Sequence, residues 1–197
     1  MFSVGDKVVH RVHGAGIITG NKERQITETP HRYFVIEMVG PQSTLMVPTD
    51  KAGQRLRPVS KMTALRRLLM DKLAKPPRQL PKDYRERAEQ IENKLKSGET
   101  KKWIEVVRDL THRREQGQKS KIDQRLLERT MHLLAGELAL AQGIDPEKAE
   151  IHLASVVERR HELKEQQADT SGWLQTLRQR VMEPFTKGNT KATADTR

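Results

Sequence analysis

The stretch RPVSKMTALRRLLMDKLAKPP, residues 57–77, divides the chain into two parts of different period. Within it, Met62, Leu65, Leu68, Leu69 and Leu73 recur at the three- and four-residue spacing that lines one face of an α-helix. Pro76 and Pro77 end that helix, because proline lacks the amide donor and clashes with the preceding turn, and they stiffen a short linker over 76–81. Before Pro58 the pattern is different. VGDKVVH, AGIIT, RYFVIEMV and TLMVP are short and rich in Val, Ile and aromatics. Gly14, Gly16, Gly20, Gly40 and Gly53, with Pro30, Pro41 and Pro48, mark the turns between them. Short strands joined by tight turns predict a small antiparallel β-barrel with little core and with edges open to another chain.

Beyond Pro77 every segment reads as helix. PKDYRERAEQIENKL opens on Asp83 as N-cap, with Glu86 placed to complete a capping box, and closes at Gly98, which supplies a left-handed turn. TKKWIEVVRDLTHRR is expected to bury Trp103, Val106, Val107 and Leu110. KIDQRLLERTMHLLAGELALAQG is expected to bury Ile122, Leu126, Leu133, Leu134, Leu138 and Leu140. DPEKAEIHLASVVERRHEL starts with Asp145 as cap and Pro146 in the first turn. A last amphipathic piece surrounds Trp173, and residues 186–197 have nothing to bury, which predicts disorder. The fold class is therefore α+β: a barrel over 1–59, an all-α domain over 60–185 and a tail.

Charge narrows the function. The net charge is +11, but it is not spread evenly. Residues 1–60 carry 8 Lys and Arg against 5 Asp and Glu, residues 61–120 carry 17 against 9, and residues 121–197 balance at 12 against 12. The excess centres on the second segment, so a polyanion such as nucleic acid is the first candidate partner. There is no cysteine, hence no disulfide, thiolate metal site or cysteine nucleophile. The N-terminal stretch has no apolar signal core, and no run approaches the length of a membrane span. The expectation is a cytoplasmic monomer without cofactor.

Catalytic and metal motifs fail on spacing. His10 and His13 in HRVH lie three apart, which on a strand sends them to opposite faces, and no further ligands lie near. That reads as turn chemistry. HGAG, residues 13–16, lacks the GxxxxGK[ST] spacing of a phosphate loop. His132, His152 and His161 are lone helical residues, and neither GxSxG nor HExxH occurs. No enzyme is expected. Tyr84 is the residue left over. It stands beside Lys82, Arg85 and Arg87 in a chain with only two tyrosines. By itself it is either a helix-start staple or a contact for a partner.

The whole chain resembles the CarD/CdnL family of bacterial transcription regulators. The resemblance opens with VGDKVVHRVHGAGII, continues through YFVIEM and LMVP, and is densest in KLKSGETKKWIEVVRDLTHR and LLAGELALAQ. It implies a Tudor-like barrel that binds the β subunit of RNA polymerase. It also implies a helical domain that contacts double-stranded promoter DNA at the upstream edge of the melted bubble. In such proteins a tryptophan wedges into the minor groove, basic side chains hold the backbone, and binding favours the open complex. Counting back from SG puts the wedge position at Tyr84, a smaller ring than indole. Arg24 matches a family arginine that touches the β subunit, while the second such position holds Met46. Arg85, Arg87, Arg125 and Arg129 are the expected phosphate contacts. The alternative is a polymerase-docking adaptor whose Tyr84 merely packs.

Overall fold

The structure, a computed structural model, describes residues 2–25, 30–40, 43–118 and 120–159. Pro41, His161, the piece around Trp173 and the tail over 186–197 lie outside the described residues. Five strands come first: β1 (Lys7–His10), β2 (Gly14–Gln25), β3 (Pro30–Met38), β4 (Thr44–Pro48) and β5 (Leu56–Pro58). They form one antiparallel sheet in the order β4-β3-β2-β1-β5. A 3-10 turn (Thr49–Lys51) and the short helix α1 (Ala52–Arg55) link β4 to β5.

Every strand gives a residue to one small core. Val8, Ile18, Phe34, Ile36, Met38, Val47 and Leu56 cluster with Ala52, so the sheet curls around its own interior. The opposite faces of β1 and β2 are apolar too. Val9 and Ala15 belong to a second, larger core built mostly by helices. This is why HGAG is glycine-rich: a Cβ on Gly16 would stand 2.6 Å from the Glu37 carbonyl oxygen of the paired strand. Close packing, not phosphate, requires that glycine.

The helices are α2 (Met62–Ala74), α3 (Tyr84–Lys96), α4 (Thr100–Glu115) and α5 (Lys121–Gln142), with further helical residues over 146–159. Leu65, Leu69 and Leu73 bury one face of α2 as the spacing predicts. Trp103 is fully buried, and its indole N–H donates to the Leu95 carbonyl at 3.0 Å. Burying one such large apolar side chain stabilises a fold by about 1.5–3 kcal/mol. Gly98 closes α3 at φ +69, and its ideal Cβ would meet Arg11 at 2.8 Å, so the turn also brings the barrel close. Asp145 caps the last helix through the Glu147 amide at 2.9 Å.

Three local expectations are corrected. Ile122 is 38% exposed, because in the first turn of α5 it is Asp123 that takes the inward position. The capping box is one-sided: Asp83 accepts from the Arg85 and Glu86 amides, while the Glu86 carboxylate accepts from Gln90. His10 and His13 do not diverge; their ring centroids are 4.8 Å apart. Residues 11–13 form a turn, so strand alternation stops at His10. The His10 Nδ1 accepts the Val12 and His13 amides, each at 3.2 Å. Burial, then His13 and Arg55, push the His10 imidazole down to about 4, which keeps it the neutral acceptor this turn needs.

Candidate functional site

The two halves of the expected interface begin on different elements. On the sheet, Phe34 pairs with Val47, and both belong to the barrel core. Their neighbours Val35 and Met46 pair with each other and therefore face the other way, out of the barrel. Val35 also pairs with Gly20, and Arg24 lies four residues further along the same strand, opposite His31. The period of two then puts Arg24, Lys22, Tyr33, Val35 and Met46 on one outward face. Arg24 is exposed, while Met46, Val35 and Tyr33 are half-buried. Beside this face, β4 ends the sheet order. Tyr33 and Val35 were not singled out from the sequence, yet alternation in RYFVIEM already separates them from Phe34 and Ile36.

Tyr84 is the first residue of α3 and is 47% exposed. The Arg85 guanidinium lies 5.6 Å from its ring centroid, and Arg85 Nε donates to the Tyr84 hydroxyl at 3.0 Å. The ring is thus presented at a capped helix start with a cation against it. Arg85 itself is exposed.

Arg87 does not reach solvent, and the expectation that it contacts phosphate is corrected. It is 2% exposed; its Nε donates to Asp123 at 2.9 Å, and its Nη1 donates to the Pro81 and Lys82 carbonyls at 2.8 and 3.0 Å. Arg113 Nε donates to the other Asp123 oxygen, also at 2.9 Å. A basic residue one turn into a charged helix looks exposed in sequence. Here helical phase turns it onto an acid of α5, two helices later in the chain.

On α5, Arg125 is exposed and makes no ion pair among the described residues, whereas Arg129 pairs with Glu92 at 2.9 Å. The contacts Arg87–Asp123 and Arg129–Glu92 advance together, so α3 and α5 run side by side in the same direction. Arg125 consequently lies toward the Tyr84 end of the pair. Both arginines also line a groove of about 900 Å³ between α5 and the strand ends near His13 and Leu45.

Barrel and helices belong to one compact unit, Met1–Val157, and Glu137 joins them. Glu137 is fully buried on α5. It accepts Arg57 Nη1 and Nη2 from β5 at 2.6 and 2.8 Å, Thr100 from the start of α4 at 2.9 Å, and both the amide and hydroxyl of Ser60. Burial alone would raise this carboxyl, but Arg57 and Ser60 hold it below its ordinary value. Arg57 also lies 5.6 Å from the Trp103 ring centroid. An ordered junction of this kind fixes the relation between the outward sheet face and the start of α3.

Comparison with known proteins matches this architecture part by part. Residues 2–60 match the CarD-like/TRCF RID domain, and residues 68–154 match the CarD C-terminal domain. The chain is 32% identical over 146 residues to the "Putative transcription factor YdeB" of Bacillus subtilis (strain 168), covering 73% of this chain and 94% of that one. The two matches cover the curled sheet and the helical domain in turn. The chain belongs to the CarD family of transcription factors. Among the described residues no helix is long and apolar enough to cross a membrane.

Proposed function

We propose that the protein binds the β subunit of RNA polymerase through the outward sheet face bearing Arg24 and Met46, and promoter DNA through the start of α3. The observation that carries this reading is the half-exposed Tyr84 on a capped helix start, within the same compact unit as that sheet face. Tyr84 enters the minor groove at the upstream edge of the bubble and stabilises the open complex, with Arg85 and Arg125 on phosphates. Unstacking a base step costs a few kcal/mol, and contacts to the distorted duplex offset it. Because those contacts exist only when the DNA is melted, binding shifts the closed–open equilibrium toward open. The protein works as a cytoplasmic monomer attached to the transcription machinery.

A second reading, a polymerase-docking adaptor without productive wedging, has its own support. The exposed surface of α3 beside Arg85 carries Glu86 and Glu89, which repel phosphate. Open-complex lifetime on one promoter, with the cognate polymerase and with or without the protein, separates the two. The stabiliser lengthens it; an adaptor leaves it unchanged while still binding polymerase.

A further inference from the structure

The approach to α3 has no regular secondary structure between Pro76 and Asp83. Such a segment presents carbonyls and amides that no helix or strand satisfies. It is nonetheless tied at both ends by buried side chains. At its near end the Arg78 amide donates to Asp109, a buried residue of α4, at 3.0 Å, and Leu80 packs on the helical core. At its far end the Arg87 guanidinium takes the carbonyls of Pro81 and Lys82 while its Nε holds Asp123. Asp123 is in turn held by Arg113 from α4. One carboxylate of α5 therefore couples α3, α4 and the turn that directs Tyr84.

We propose that Arg87, backed by Asp123 and Arg113, is a positioning residue for Tyr84: it orders the Pro81–Asp83 turn before any partner arrives. This rests on the wedge reading above. A wedge mounted on an already ordered turn loses no freedom of that turn on insertion, whereas a loose one must be ordered at the moment of binding. The planar fork of arginine suits the task, since its Nε reaches the carboxylate while its Nη1 reaches two carbonyls, and the point charge of lysine does not. It also accounts for a buried arginine in a segment where the other cations are at the surface.

The test uses the full chain and two readouts. Arg87→Lys keeps the charge opposite Asp123 but not the fork; Arg113→Ala removes only the outer support and guards against a variant that fails to fold. Amide hydrogen exchange without DNA is expected to accelerate across residues 80–86 in both variants, with α4 and the rest of α5 protected as in wild type. Open-complex lifetime is expected to shorten by roughly threefold or more in Arg87→Lys, and by nothing further when Tyr84 is already alanine, since coupled residues are non-additive. Unchanged exchange across 80–86 overturns the proposal. So does equal shortening in the Tyr84 and Tyr84→Ala backgrounds, which marks a merely structural role. Accelerated exchange with lifetimes indifferent to Tyr84→Ala instead overturns the wedge reading beneath it, and the proposal with it.

Discussion

The junction at Glu137 and the start of α3 at Tyr84 use the same side-chain chemistry to opposite ends. At Glu137 a guanidinium and two hydroxyls converge on a buried carboxylate, and both carboxylate oxygens accept hydrogen bonds. At Tyr84 an aromatic ring and the Arg85 guanidinium meet at the surface, and among the described residues they engage each other. Buried ionic groups cost desolvation and repay it only with full pairing, so they specify geometry. Exposed ones cost little and remain available for a partner. The contrast sorts the arginines weighed for the interface and the junction: Arg57 and Arg87 hold the scaffold, while Arg24, Arg85 and Arg125 are exposed.

The contrast breaks most visibly at the junction. Glu137→Ala leaves Arg57 without its partner, and breaking a buried pair this way costs about 3–5 kcal/mol, to be measured by denaturant unfolding. The pH dependence has a definite sign. The Glu137 carboxyl is held below the ordinary 4.5, so the unfolded chain binds the proton first. The stabilisation is complete above that value and is lost as pH falls through the lower folded value. Acid unfolding of Glu137→Gln should therefore be less steep there than in wild type; equal steepness shows that Glu137 contributes nothing to it.

On the outward sheet face, Arg24→Glu should weaken polymerase binding by about 2–5 kcal/mol if the facing surface is acidic, with the thermal midpoint unchanged. Pull-down at wild-type level removes Arg24 from the interface. At the start of α3, Tyr84→Ala should shorten open-complex lifetime by the equivalent of about 1–3 kcal/mol and leave polymerase affinity alone. Tyr84→Trp should lengthen it, because the larger ring fills more of an opened step. If both variants match wild type, Tyr84 is only a helix-start residue and the adaptor reading prevails. The smallest effects belong to single phosphate contacts. Arg85→Ala and Arg125→Ala should each lower the slope of log affinity against log salt by roughly one unit on any sequence. Arg129→Ala should do less, since Glu92 already neutralises that side chain. Slopes unchanged from wild type in all three would mean that these cations face solvent only.

Much of this was legible along the chain, and the reasons are local. Hydrophobic period is a near-neighbour property, so the change from strand to helix after Pro58, the burial of Trp103 and the stripe on α2 could be read directly. Gly98 ended α3 as expected because a left-handed residue needs no tertiary partner to declare itself. The His10–His13 pair was misread because strand alternation was carried past the end of β1, and Ile122 because the helical period was carried into the first turn of α5. Period ranks faces but does not say where the first turn of a helix lies against its neighbours.

The sequence by itself determined the α+β division, the apolar faces, the concentration of positive charge and the place of Tyr84 at a helix start. Only the tertiary structure decided which charges are free. Arg85 and Arg87 are two residues apart and chemically identical, yet one lies against Tyr84 at the surface and the other is enclosed by Asp123 and the carbonyls of Pro81 and Lys82. Whether an arginine offers its charge to a partner or to the fold depends on a carboxylate that can stand anywhere in the chain. For Arg87 that carboxylate is 36 residues away, and for Arg57 it is 80. Coulomb attraction acts through space, and only folding sets those distances.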